Sequence, residues 1–142
     1  MLLADVIVPN RRGMHMNPEK HRIILVAAKP GIMRNSLLSY LRAVLGIRPI
    51  VTADDAVSAC QMIRECNPEL IVVDSDLSES EMLNVIRCAH AEPLHAKTIA
   101  LVESLSQQEL CLAMGATHTS LKGFLDKQLR EAVLNEINQT NQ

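Results

Sequence analysis

Four charged residues of this sequence, Lys29, Asp74, Glu103 and Lys122, lie at or just beyond the ends of segments with strand-like composition. Asp74 directly follows four apolar residues, Leu70–Val73, which favours an ion-binding or ligand-binding carboxylate over an incidental surface one. It could also cap a helix or stabilise a loop. An ammonium group beside Asp74 could balance its charge. One prediction is therefore a cluster of Lys29, Asp74 and Lys122 with Glu103 nearby, and a Lys29 that points into water is the alternative.

The strand-like segments alternate with segments of helical periodicity. Ser78 and Ser106 are each followed three residues later by Glu, the spacing of a capping box that opens a helix. Asp54 or Asp55 is expected to cap the second helix. We predict strands over 22–27, 49–53, 70–73, 98–102 and 117–121, and helices over about 32–45, 56–66, 78–90, 106–114 and 124–137.

This alternation predicts an α/β fold. Short apolar strands joined by crossover helices favour a parallel sheet covered on both faces, and right-handed crossovers leave only a few doubly wound topologies. Ligands bind such sheets beyond the carboxyl ends of the strands, where the strand order reverses. In a five-stranded form, that point lies between strands one and three. The residues to inspect at this edge are Ala27, Ala28, Lys29, Asp74, Val102, Glu103 and Lys122.

Composition excludes several classes of protein. The chain has 142 residues, which suits one domain, and its net charge of −2 with 1% aromatic residues gives no surface for nucleic acid. No apolar run approaches the ~20 residues that span a bilayer, and the first residues do not form a signal peptide, so a cytoplasmic protein without membrane contact is expected. The four cysteines lack C-x-x-C spacing and are expected to be buried free thiols.

The chain divides into three parts by composition. Residues 1–20, interrupted by Pro9, Gly13 and Pro18, are expected to form a mobile arm. Residues 21–138 carry the regular pattern and form the predicted domain. Residues 139–142 form a polar tail that is expected to fray.

Two motifs resemble those of a known family. The segment Pro68–Asp74 resembles the third-strand motif of response regulator receiver domains, and Gly115–Phe124 resembles the family's Gly-Ala-Asp-Asp-Tyr-Leu-x-Lys-Pro-Phe. The resemblance extends over residues 21–137. The family it points to includes the single-domain chemotaxis regulator. The resemblance implies a five-stranded parallel flavodoxin-like fold with strand order 2-1-3-4-5 and identifies Asp74 as the candidate phosphoacceptor.

The acidic pocket departs from the family pattern. Family receivers bind Mg²⁺ with two acidic residues after strand one, and here these are Ala27 and Ala28, followed by Lys29. Asp74 with Asp76 alone makes a poor Mg²⁺ site, since that ion prefers several oxygen ligands in an octahedron. Lys122 is retained. The other departures are Val102 for the family's Ser or Thr, Glu103 for a small residue, Thr119 for the switch aromatic and Gly123 for Pro.

The resemblance implies a non-enzymatic, stand-alone receiver in a two-component phosphorelay. With its degenerate pocket, it is expected to act through protein–protein contact with weak or no phosphorylation, and without a cofactor unless Mg²⁺ binds. The expected partner is a histidine kinase, an output protein or a second copy, bound through the face of helix four, strand five and helix five. The alternative is a working phosphoacceptor that takes phosphate on Asp74. An unrelated nucleotide-binding enzyme is disfavoured because the chain has no glycine-rich phosphate loop.

Overall fold

The computed structural model describes residues 23–46, 48–93, 96–122 and 130–140. The predicted arm over 1–20 and the residues at 141–142 lie outside these ranges. The strands form one five-stranded parallel sheet in the order β2-β1-β3-β4-β5, which confirms the predicted topology. The strands are β1 (Ile24–Ala27), β2 (Ile50–Ala53), β3 (Leu70–Asp74), β4 (Lys97–Val102) and β5 (His118–Leu121).

Five helices cover the two faces of the sheet. They are α1 (Ile32–Leu45), α2 (Ala56–Cys66), α3 (Glu79–Ala91), α4 (Leu105–Met114) and α5 (Arg130–Thr140). One core lies under α1 and α5 and the other under α2, α3 and α4. Successive residues of β1 and of Leu70–Val73 in β3 alternate between the two cores, which is why these stretches of the central strands are apolar throughout. Among the described residues, no helix is long and apolar enough to cross a membrane.

The strand register places the candidate residues at one edge of the sheet. Ala27 at the end of β1 pairs with Ala53 of β2 and Val73 of β3, and Asp74 pairs with Leu101 of β4. The carboxyl ends of these strands are therefore level. Any side chain that follows one of them projects into the same region.

Helix capping agrees with the sequence at two helices and differs at a third. Asp55 accepts a hydrogen bond from the backbone N–H of Ser58 at 2.8 Å and caps α2, and Ser78 accepts one from the N–H of Glu81 at 3.2 Å and caps α3. The prediction for Ser106 is wrong.

Ser104 is the residue that caps α4. Its hydroxyl accepts a hydrogen bond from the N–H of Gln107 at 3.1 Å, and the side chain of Gln107 reaches back to the N–H of Glu103 at 2.8 Å. Ser104 and Gln107 also have capping-box spacing, and this earlier box allows the helix to begin at Leu105, two residues before the predicted box would open it.

The last helix also differs from its predicted range. The predicted residues 124–129 lie outside the described part of the chain, and α5 is described over Arg130–Thr140. It continues three residues beyond the predicted end at Ile137. The polar residues that follow Ile137 therefore do not end the helix.

Two of the four cysteines differ from the sequence prediction. Cys60 of α2 and Cys88 of α3 form a disulfide, with their Cα atoms 5.7 Å apart, whereas the sequence predicted free thiols throughout. Their separation of 28 residues matches no spacing motif, and the packing of α2 beside α3 brings them together. Cys66 and Cys111 are buried free cysteines, as predicted, and burial raises the pKa of both thiols.

We predict a coupled cost for substituting Gly115, which ends α4 with a φ of 121°. A Cβ added there would lie 3.0 Å from Nδ1 of His90, so Gly115→Ala combines backbone strain with a steric clash. The free energy of unfolding should fall by about 1–3 kcal/mol in urea titrations. In a His90→Ala background the loss should be smaller. Gly46→Ala is the matched control, because an added Cβ there has no neighbour within 4 Å. Its cost should not depend on His90, and an equal dependence at both glycines would contradict the clash.

Candidate functional site

Asp74 is the last residue of β3, and its carboxylate is nearly enclosed. Only 6% of its side chain is exposed. The ammonium group of Lys122 lies 2.6 Å from Oδ1 of Asp74, and the backbone N–H of Asp76 donates a hydrogen bond to the same oxygen at 3.3 Å. The buried carboxylate therefore has both a counter-charge and a backbone donor, as a buried charge requires.

Lys122 contacts two further carboxylates. Its Nζ lies 2.9 Å from Oδ1 of Asp76 and 3.7 Å from Oε2 of Glu103. We call Asp74, Asp76, Glu103 and Lys122 the Lys122 cluster. One ammonium group is thus set against three carboxylates, which leaves the cluster with an excess of formal negative charge.

The surroundings favour the charged form of this lysine. Burial of the Lys122 ammonium group opposes its charge, but the hydrogen bonds to Asp74 and Asp76 outweigh that effect and raise the pKa of Lys122 above its ordinary value. The lysine is therefore a fixed cation in the neutral range. It joins the end of β5 to the end of β3.

At the end of β1, the cation near the backbone is an arginine and not Lys29. Ala27 and Ala28 are buried and bring no side-chain oxygen. Arg34 of α1 donates a hydrogen bond from a guanidinium nitrogen to the carbonyl oxygen of Ala28 at 3.2 Å, and the same nitrogen lies 2.5 Å from Oδ1 of Asp54.

Lys29 is exposed, and the described ion pairs of Asp74 include Lys122 but not Lys29. The predicted arrangement of two lysines around Asp74 is therefore wrong, and the alternative, a Lys29 directed to solvent, agrees with the structure. Sequence reasoning missed Arg34. Its place in the first turn of α1 was the available signal, because that turn begins beside the edge of the sheet where β1 ends.

Two further predicted positions lie apart from the Lys122 cluster. Val102, at the end of β4, is fully buried and packs in the core under α2, α3 and α4. Thr119 of β5 is half-buried and lines a cleft of about 370 Å³ between α4, β5 and α5. The other residues that line this cleft are Gln108, His118, Leu121, Glu131, Ala132 and Asn135.

The donor set does not fit Mg²⁺. The carboxylates of Asp74 and Asp76 both point their Oδ1 atoms at the Lys122 ammonium, which holds the place a metal ion would need between them. The carbonyl of Ala28 already accepts a hydrogen bond from Arg34. No group of three or more His, Cys, Asp or Glu side chains in the described ranges is arranged to hold a metal. Mg²⁺ demands near-octahedral oxygen coordination, and these residues do not supply it.

We predict that Lys122→Met lowers the free energy of unfolding at pH 7 by about 1–3 kcal/mol, because it leaves the buried Asp74 carboxylate without its counter-charge. A raised pKa in the folded state means that the lysine's stabilisation is complete below its unfolded value of about 10.5 and is lost as pH rises through the higher folded value. Urea titrations from pH 7 into the strongly alkaline range should therefore show that wild type and variant differ less in free energy of unfolding as pH rises through the folded-state pKa of Lys122.

Glu103→Gln is the control. Its free energy of unfolding should change little, because the Glu103 side chain is 60% exposed. A difference that stays constant with pH would contradict this account.

The sequence and the fold of this chain can be compared with those of known proteins. No family model matches the chain. A curated relative, the protein-glutamate methylesterase/protein-glutamine glutaminase 2 of Nitratidesulfovibrio vulgaris, is 25% identical over 114 residues, which is 80% of this chain. The chain spans only 30% of the length of that relative.

Solved structures of receiver domains superpose on most of the chain. The receiver domain of a DNA-binding response regulator from Colwellia psychrerythraea has a TM-score of 0.72 at 16% identity and covers 82% of this chain and 98% of its own. A putative response regulator from Chloroflexus aurantiacus has a TM-score of 0.73 at 18% identity with the same coverage.

A third structure is the receiver domain of a sensor histidine kinase from Pseudomonas aeruginosa, solved with a magnesium ion in its active-site cleft. It has a TM-score of 0.72 at 18% identity and likewise covers 82% of this chain and 98% of its own. Together with the strand order, these superpositions show that the chain has the flavodoxin-like fold of response regulator receiver domains.

Proposed function

We propose that this chain is a receiver-type module of a two-component signalling pathway that acts by protein–protein contact, with weak or no phosphorylation of Asp74. The receiver fold supports the signalling role, and the Lys122 cluster supports the weak phosphorylation. The curated relative's methylesterase activity is not part of this proposal, because the chain matches less than a third of that protein.

The observation that carries the proposal is the excess of negative charge around Asp74. Phosphoryl transfer needs cations and hydrogen-bond donors that stabilise charge spread over the phosphoryl oxygens. Here one ammonium group already serves three carboxylates, and Glu103 lies 3.7 Å from it. A phosphoryl group on Asp74 would add further negative charge to that set and would compete with Asp76 and Glu103 for the lysine.

Neighbouring strand ends supply little compensation. Ala27 and Ala28 bring no carboxylate to hold a metal ion, and Val102 brings no hydroxyl to bind a phosphoryl oxygen. If each absent stabiliser resembles other preorganised donors, each is worth about 2–4 kcal/mol in the transition state. The loss of two or more would slow phosphorylation by several orders of magnitude.

A single resting conformation is the expected consequence. The ion pair between Lys122 and Asp74 joins β5 to β3 without any ligand, so the edge of the sheet is held in one arrangement. A partner would then recognise this chain in that arrangement, with no need for a phosphorylated state.

The surface proposed for that contact is formed by α4, β5 and α5. It contains the cleft around Thr119, and α4 exposes three leucines, Leu105, Leu110 and Leu112, while burying only Cys111. Exposed leucines on a helix that flanks a cleft are typical of a binding surface. We propose that the partner is a histidine kinase, an output protein or a second copy of this chain.

A working phosphoacceptor is the second candidate. The buried carboxylate of Asp74 at the end of β3 and its contact with Lys122 favour it, since a positioned carboxylate and a cation are two of the groups that phosphoryl transfer requires. It would require Lys122 to leave Asp76 and a metal ion to find oxygen ligands other than Ala27 and Ala28.

Intact-mass measurement after incubation with acetyl phosphate or phosphoramidate, with and without Mg²⁺, distinguishes the two candidates. We expect wild type to gain no phosphoryl group under any of these conditions, because the cluster lacks the metal ligands and already carries excess negative charge. Asp74→Ala serves as the matched control. A Mg²⁺-dependent gain of one phosphoryl group in wild type that is absent from Asp74→Ala would contradict the proposal and establish the second candidate.

Self-association through α4, β5 and α5 is tested by sedimentation equilibrium over a range of protein concentrations. We expect reversible dimers that Leu112→Glu weakens by about tenfold or more, because it would bury a charge in the contact. Val57→Glu is the control, since Val57 is also an exposed apolar residue, at 79% against 44% for Leu112, and it lies on α2, outside the proposed face. Equal weakening by both variants, or a monomer throughout, would contradict self-association through this face.

A further inference from the structure

The disulfide between Cys60 and Cys88 lies where it fixes the position of α3. It joins the middle of α2 to the last turns of α3. At the other end of the same helix pair, Oε2 of Glu81 accepts a hydrogen bond from the backbone N–H of Ala56 at 3.3 Å. The described links between the two helices therefore include the disulfide, near the end of α3, and this hydrogen bond, near the start of both helices.

The segment that leads into α3 carries part of the Lys122 cluster. Asp76 lies only three residues before Glu79, where α3 begins. The segment also contains Ser78, whose φ of 131° is rarely adopted by a residue with a side chain. Such a conformation costs about 1–3 kcal/mol and persists only where the surrounding structure enforces it. Ser78 is also the N-cap of α3 and accepts a hydrogen bond from the N–H of Glu81, so its conformation is tied to the position of that helix.

The cysteines differ in their availability for exchange. Cys60 and Cys88 are both partly exposed, whereas Cys66 and Cys111 are buried. Burial raises the pKa of Cys66 and Cys111, which keeps them as unreactive thiols. Exchange with a small thiol in solution is therefore confined to the one disulfide that holds α3 to α2.

We propose that the Cys60–Cys88 disulfide is a reversible modification site for low-molecular-weight thiols such as glutathione, and that its reduction releases Asp76 from Lys122. In the reduced state α3 loses its covalent link to α2. Ser78 then relaxes to an ordinary φ, and the segment between Asp74 and α3 moves with it. Lys122 keeps its contact with Asp74, which belongs to β3 and stays in the sheet.

Reduction of the Cys60–Cys88 disulfide by glutathione proceeds in two thiol–disulfide exchange steps. A glutathione thiolate attacks one sulfur of the disulfide, a mixed disulfide forms, and the other cysteine leaves as a thiolate that takes a proton from water. A second glutathione thiolate attacks the glutathione sulfur of the mixed disulfide and releases oxidised glutathione, and the second cysteine takes a proton. Two glutathione thiols are oxidised to one disulfide, and the protein disulfide is reduced to two thiols.

The test begins with the intact chain equilibrated over a series of reduced-to-oxidised glutathione ratios, then alkylated under native conditions and weighed. We expect a transition between no alkylated cysteine and two, with the label on Cys60 and Cys88. A disulfide that never forms in oxidised glutathione, or one that stays intact at every ratio, would overturn the proposal.

Hydrogen exchange of the backbone amides in residues 75–83 then tests the coupling to the site. We expect these amides to exchange about tenfold faster or more in the reduced protein, because the free energy of local opening falls when the disulfide no longer holds α3 to α2. Cys60→Ser should exchange at the fast rate in both conditions. Cys66→Ala, a change at a buried thiol outside the disulfide, should respond to glutathione as wild type does.

A variant at the strained residue separates relaxation of Ser78 from general loosening. Ser78→Gly removes the cost of the positive φ, so reduction should change the exchange of residues 75–78 less than it does in wild type. Reduction that leaves exchange over 75–83 unchanged in wild type would overturn the coupling. An equal response of wild type and Ser78→Gly would overturn the part assigned to the strained residue.

Discussion

The ion pair between Lys122 and Asp74 is the interaction on which the edge of the sheet depends. Asp74 is buried at the end of a central strand, where an unpaired carboxylate would be strongly destabilising, and Lys122 directly follows the edge strand β5. The contact therefore joins two strands that are separated in the sheet by β4. Asp76 and Glu103 add their charges to the same ammonium, so the ends of β3, β4 and β5 share one cation. Any anion that binds at this edge must compete with these three carboxylates for the Lys122 ammonium group.

Much of the architecture follows from local sequence. Branched apolar runs predicted the strands, and the order of the sheet followed from the handedness of the crossovers together with the resemblance to receiver domains. Because parallel strands end at one edge, Asp74 and Lys122 could be assigned to the same region before any contact was known. Caps at Asp54 or Asp55 and at Ser78 could be predicted because capping depends on residues only three positions apart, and the structure identifies Asp55 as the first of them.

What the sequence could not determine depends on how helices pack. Whether Lys29 or Arg34 reaches the end of β1 depends on the direction in which α1 leaves the sheet, which no local pattern specifies. The disulfide depends in the same way on α2 lying beside α3. The start of α4 was misplaced for a different reason. Ser104 and Ser106 both have a capping-box partner three residues later, so the pattern alone does not choose between them.

The division of the molecule into two cores has a consequence for the way it comes apart. The covalent link lies entirely in the layer of α2, α3 and α4, whereas among the described residues the layer of α1 and α5 is held by side-chain packing on the opposite face of the sheet. Both layers pack on the same sheet, so we expect them to unfold together, and the disulfide, which closes the chain between Cys60 and Cys88, stabilises both of them by constraining the unfolded chain.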